Sequence, residues 1–288
     1  MSYFDRFLVA EQLVGPSVTA QITDRYFDSL THLSPSTQAQ RSSVVRSLCA
    51  FMQQRDETHH IPQLRNHRRE PFRPFIFTAS QVQALLSAAL KLTMPDTLHP
   101  LTHYTLFGLL YATGMRIGEA LALTLGDFDV QRESLYIARG KFRKARWVPL
   151  HRTSMEAVTK YIERRRGLLP NGPAASLFVN LQGRPLRHRR VHRVYQRLLK
   201  ITGISQLPHG PPRIHDLRHT FAVHRLLDWY RDGGDVNARL PMLATYMGHV
   251  DICSTQVYLQ PTEELLDRVN SRFHQHYLDN VKPKGKTQ

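Results

Sequence analysis

The chain of 288 residues carries 39 Lys and Arg against 23 Asp and Glu, a net charge of +16, with 41% hydrophobic and 22% charged residues. That length accommodates two domains with cores of their own, the composition is that of a soluble globular protein, and no run of about 18 apolar residues offers a membrane span. A charge this positive makes an anionic polymer the first partner to consider.

The opening residues, MSYFDRFLVAEQLVG, mix charges into the apolar pattern and lack the basic stretch and continuous apolar run of a secretory signal. The two cysteines, Cys49 and Cys253, form no paired motif. They argue against a disulfide framework or a cysteine zinc site, and for a reducing, cytoplasmic setting. Helices are predicted near 18–31 and 37–54, the second with Val44, Val45, Leu48, Phe51 and Met52 as one apolar stripe. His59 to Pro74, HHIPQLRNHRREPFRP, is rich in Pro and Arg without a sustained apolar period and reads as a linker. The domain boundary is therefore expected there, with a small helical domain over 1–73 and a larger one over 74–288. The charge divides unevenly between them, +2 and +14.

The larger domain opens on Thr78-Ala-Ser-Gln81, a candidate capping box, followed by Val82, Leu85, Leu86 and Ala89 at helical spacing. Leu101 to Ala112 is a second apolar segment, and the chain after Arg116 again reads as helix. From 134 to 150 the pattern changes to two short strand-forming segments around a basic turn, a β-hairpin with its tip near Gly140 to Lys144. Arg187 to Lys200 is a basic amphipathic helix. Val191, Val194, Tyr195, Leu198 and Leu199 form its apolar stripe, and five Arg lie between Arg187 and Arg197, a density that favours phosphate contact. A further helix starts near His215. Trp229 to Pro241 reads as an inserted turn or loop, and Leu266, Val269, Phe273 and Tyr277 predict an amphipathic helix over 262–280.

Five elements then stand in a fixed order: Thr113-Gly-Met-Arg116-Ile-Gly-Glu119, Gly140-Lys141 in the hairpin, His215-Asp-Leu-Arg218-His-Thr, Gly248-His249, and Tyr258 nine residues later. In these elements the chain resembles the tyrosine recombinase and phage integrase family, strongly in the larger domain and only by helical pattern in the smaller. The resemblance implies a mainly α fold with a small β-hairpin or sheet, comprising a helical core-binding domain and an α+β catalytic domain. It also implies an enzyme that cuts and rejoins DNA by transesterification through a 3′-phosphotyrosyl intermediate, in integration, excision or resolution for a mobile element.

The residue types suit that chemistry. Arg116 and Arg218 match the family's arginines; a guanidinium is permanently charged and grips two phosphate oxygens in a planar fork, stabilising charge that builds on the non-bridging oxygens. Tyr258 matches the nucleophile, whose phenoxide is also a good leaving group when the strand is resealed. His215 and His249 are implied to hydrogen-bond the scissile phosphate, with His215 a candidate acceptor of the tyrosine proton. Lys141, directly after the hairpin glycine, matches the general acid for the departing 5′-oxygen. Lys144 competes for that role, because Phe142 stands where the family commonly has a second glycine. Glu119 matches an acidic position that orients its neighbours.

No cofactor or metal is implied. His215 and His219 have the spacing of helix metal ligands, but Arg218 beside them opposes a cation. The implied partners are double-stranded DNA with short inverted-repeat core sites and a homotetramer assembled on DNA through the tail, whose stripe could alternatively pack on its own domain. Two rival functions share the features: type IB topoisomerase-like nicking and resealing, and a non-catalytic DNA-binding regulator on the same fold.

Overall fold

The computed structural model describes residues 3–12, 17–55, 58–65, 74–92, 98–138, 145–169, 172–204 and 211–248. The chain divides into two compact units, Met1–Arg73 and Pro74–Gln288. The hairpin tip with Lys141 and Lys144, His249, Tyr258 and the expected tail helix lie outside the described residues.

In the first unit, α1 (Tyr3–Ala10), α2 (Ala20–Ser29) and α3 (Pro35–Gln53) form in turn. Thr19 caps α2 by accepting the Ile22 N–H, and Ser34 caps α3 by accepting that of Thr37, with Pro35 in the first turn where its missing N–H costs nothing. Phe4, Val18, Tyr26, Phe27, Leu30, Val45 and Cys49 make the core, and Phe4 meets the Tyr26 ring edge-on at 4.9 Å. The predicted stripe of α3 splits. Val45 and Cys49 point inward with Met52 packed against them, whereas Val44, Leu48 and Phe51 are exposed. The apolar stripe of α3 is therefore wider than the face that becomes buried. The short helix α1 was not among the predicted elements.

The second unit is built around α5 (Leu98–Thr113), whose Leu106, Phe107, Leu109 and Leu110 are nearly inaccessible. Each such side chain contributes roughly 1.5–3 kcal/mol on burial. Around it pack α4 (Ala79–Leu90), α7 (Arg152–Arg166) and α9 (Asp216–Arg231). The capping box opens α4 in both halves, Thr78 accepting the Gln81 N–H and Gln81 accepting that of Thr78. The basic helix α8 (His188–Ile201) buries Val191, Tyr195, Leu198 and Leu199, while Arg187, Arg189, Arg190, Arg193 and Arg197 are exposed. Helix α6 (Ile117–Ala122) leads through a 3-10 turn, Leu125–Asp127, into a three-stranded antiparallel sheet in the order β1 (Phe128–Asp129), β2 (Ser134–Ile137), β3 (Arg146–Pro149). Leu135 faces Val148 and Ile137 faces Arg146 across the predicted hairpin.

The segment 229–241, expected to be a loop, is largely helix. Helix α9 runs on to Arg231, a turn containing Gly233 follows, and α10 (Val236–Met247) begins with Asp235 accepting the Ala238 N–H at 3.1 Å. Leu226, Leu227, Val236, Leu240, Leu243 and Met247 close a core between the two helices. That burial stabilises helix on both sides of a polar, glycine-containing turn, which interrupts the periodicity in the sequence. The protein is thus mainly α with a small antiparallel sheet, as the sequence predicts.

Candidate active site

Arg116 stands at the N-terminus of α6, where Glu119, three residues on, reaches back to cap the helix. Its Oε2 accepts the Arg116 backbone N–H at 3.0 Å and its Oε1 accepts Nη1 of the Arg116 side chain at 3.0 Å. Nη2 of Arg116 donates to the Gly248 carbonyl at 3.1 Å. A guanidinium has five N–H groups, and these two bonds use two of them.

Arg218 lies one turn into α9 and is 2% exposed. Its Nη1 donates to the Gly114 carbonyl at 2.6 Å. Gly114 ends α5 at φ +61°, the left-handed region that favours glycine, and turns this carbonyl toward α9. The sharp turn between α5 and α6 therefore serves both arginines, through the Gly114 carbonyl that holds Arg218 and through Arg116 itself, on either side of Met115.

The start of α9 is pinned by Asp216, which is 3% exposed. Asp216 accepts the Arg213 backbone N–H at 2.7 Å and its Nη2 at 3.1 Å, while the Tyr195 hydroxyl donates to the Arg213 carbonyl at 3.1 Å. His215 is thereby set at the helix start, its ring 4.9 Å from that of His219. Burial, then the positive charges of Arg218, Arg213 and Arg116, lower the His215 pKa to about 4 against a smaller opposing effect of Asp216. Much of its surface reaches water, and that water screens the neighbouring charges and tempers the drop. The direction of the shift favours the neutral ring, the form that can accept a proton.

Arg116, Arg218 and His215, remote in sequence, are thus brought together, and Glu119 stands behind them, 5% exposed. Burial pushes the Glu119 carboxyl up, but hydrogen bonds from Arg146 and the Arg116 backbone, with the charges of both arginines, outweigh that and hold it below the ordinary carboxylate range. Arg146 is the residue that the sequence motifs did not single out. The available signal was its strand position: Arg146 is two residues from the buried Val148 and so shares its inward face. Among the described residues no group of three or more His, Cys, Asp or Glu could hold a metal ion, and no helix is long and apolar enough to cross a membrane.

The phage integrase family profile matches residues 76–264. The chain is 34% identical over 286 residues to the putative integrase/recombinase y4rB of Sinorhizobium fredii, covering 96% of this chain and 90% of that protein. It is 32% identical over 264 residues to the tyrosine recombinase XerD of Caulobacter vibrioides, covering 88% and 81%. The XerH site-specific recombinase, solved bound to palindromic difH substrate as a post-cleavage complex, superposes with a TM-score of 0.69 at 20% identity, over 89% of this chain and 70% of that one. At that identity the likeness is one of fold.

Proposed function

Because the chain belongs to the phage integrase family and is a site-specific DNA recombinase of the tyrosine type, we propose that it breaks and rejoins DNA through a covalent link between Tyr258 and a DNA 3′-phosphate. The observation that carries this reading is the grouping of Arg116, Arg218 and His215 around the turn between α5 and α6, with Arg116 donating to the carbonyl of Gly248, the residue before His249.

In the proposed step the Tyr258 hydroxyl loses its proton, with His215 as acceptor, and the phenolate attacks phosphorus. The bond from phosphorus to the 5′-oxygen breaks, and Lys141 supplies the proton that makes a free 5′-hydroxyl. Arg116 and Arg218 offset the charge that grows on the non-bridging oxygens, and His249 donates a hydrogen bond to the same phosphate. Rejoining is the reverse: a 5′-hydroxyl attacks and the tyrosine leaves. One phosphoester replaces another in each direction, so no nucleotide cofactor is consumed.

Residues 1–73 would serve as the helical core-type DNA-binding domain and 74–288 as the catalytic domain. The arginines exposed on α8 support phosphate contact by the larger unit. Short inverted repeats, assembly of a tetramer through residues 262–280, and a mobile element in the cytoplasm complete the proposal.

The test uses nicked duplexes built on a sequence that the protein selects from a random DNA pool. The wild type should form a denaturant-stable protein–DNA adduct, and Tyr258→Phe should bind the duplex but form none. An adduct with the phenylalanine variant would falsify the assignment of Tyr258.

A further inference from the structure

Arg146 begins β3, on the strand that returns from the Lys141 hairpin, and its side chain is 12% exposed. All three nitrogens of its guanidinium are engaged. Nη1 and Nη2 donate to the two oxygens of Glu119 at 3.1 and 2.9 Å, and Nε donates to the Tyr246 carbonyl at 3.0 Å. Glu119 in turn holds Arg116, whose Nη2 reaches the Gly248 carbonyl. One carboxylate and two carbonyls therefore join three segments: the start of α6, the first residue of β3 and the end of α10. The Tyr246 hydroxyl adds a second tie to β3, donating to the Pro149 carbonyl at 3.1 Å. Gly248 is packed against this assembly, for a Cβ there would stand 2.7 Å from Nη1 of Arg146.

We infer that Arg146 is a positioning residue for strand transfer, holding Glu119 and the end of α10 so that Arg116 keeps its place between Glu119 and the Gly248 carbonyl. The inference rests on the recombinase reading above.

The geometry explains why an arginine is needed. Without Arg146, Glu119 would keep its cap on the Arg116 backbone N–H but lose the fork that fixes its orientation, and its oxygens would compete with a phosphate for more of the Arg116 guanidinium. A fork that occupies both oxygens holds the carboxylate in one orientation and leaves it a single contact with the Arg116 side chain. Lysine could supply the charge but not the planar bridge across Glu119 together with the bond to Tyr246. Loss of Arg146 would also leave the end of α10 tied to β3 through the Tyr246 hydroxyl and the Pro149 carbonyl, without the Arg146 bond to the Tyr246 carbonyl.

Arg146→Lys is the discriminating variant, and Gly248→Ala presses on the same guanidinium from the other side. Each is measured for DNA affinity, for melting temperature, and for the single-turnover rate of adduct formation at saturating nicked duplex. The expected result is affinity within about threefold of wild type and adduct formation slowed at least tenfold, in variants that remain folded. Glu119→Gln combined with Arg146→Lys should be no slower than the slower single variant, because both act through one contact. Adduct formation by folded Arg146→Lys at the wild-type rate overturns the inference, as does multiplication of the two losses in the double variant. If either single variant fails to fold, the other decides. A wild type that forms no adduct would instead sink the recombinase reading, which separates the two failures.

Discussion

The ring of Phe221 occupies the space that a side chain on Gly114 would need, with its Cδ1 only 2.4 Å from the position of a Cβ there. The same ring stacks on Tyr246 at 5.7 Å, so the turn that presents the Gly114 carbonyl to Arg218 is packed against α9, and α9 against the end of α10.

Gly114→Ala should therefore be costly twice over, through its positive φ and through the clash. Together these amount to about 2–4 kcal/mol of stability. Thermal or denaturant unfolding measures the loss. Adduct formation should slow as well, because the carbonyl that holds Arg218 moves, while DNA affinity stays close to wild type. Phe221→Leu in the same chain should recover part of the stability by relieving the clash.

His103, 1% exposed on α5, has its pKa lowered to about 4, chiefly by burial, with its Nδ1 2.9 Å from the His99 carbonyl. As pH falls below about 6.5 the unfolded chain takes up this proton before the folded one does. Stability should fall between about pH 6.5 and 4 and this contribution should level off below, for a total of order 2–3 kcal/mol. His103→Leu should flatten the wild-type profile over that window. Unfolding curves at pH 7.5, 5.5 and 4.5 make the comparison, and parallel profiles for the two proteins would refute it.

The net charge of +14 on residues 74–288 and the arginines exposed on α8 predict steep salt dependence. If six or more phosphates are contacted, affinity should drop on the order of a thousandfold between 50 and 200 mM salt as counterions are released. Fluorescence anisotropy across a salt series reads this directly. A flat response would mean that the charge does not meet the DNA backbone.

The two hairpin lysines can be separated by the chemistry of the leaving group. Ala in place of the true general acid should slow cleavage of ordinary DNA by roughly a hundredfold to ten-thousandfold with little change in binding. A 5′-bridging sulfur leaves as a stable thiolate and needs no proton, so it should restore most of the rate to Lys141→Ala. Arg218→Ala should show no comparable recovery, because what it lacks is charge on the non-bridging oxygens. Rescue of Lys144→Ala alone would transfer the role to Lys144.

What the sequence determined by itself was whatever neighbouring residues decide. The stripe of α8 is legible because residues three and four apart share a helix face, the capping box at Thr78 because it closes within one turn, and the β2–β3 hairpin because two strand-forming segments flank a basic turn. The order of Arg116, Lys141, His215, Arg218, His249 and Tyr258 is legible for another reason: family resemblance survives in motifs whose chemistry admits few substitutions. Helix α7 carries a comparable local signal, Met155, Val158, Tyr161 and Ile162 on one face, and lies outside the predicted elements. Tertiary structure alone decided that Val44, Leu48 and Phe51 face outward, since the period of α3 marks an apolar band but not which edge of it meets α1 and α2. It also decided that 236–247 is helix, through burial against α9. Above all it brought Arg146 to Glu119 and to the carbonyl of Tyr246. These contacts join residues far apart in the chain, and their geometry depends on how a strand, a helix start and a helix end pack together, which no local spacing encodes.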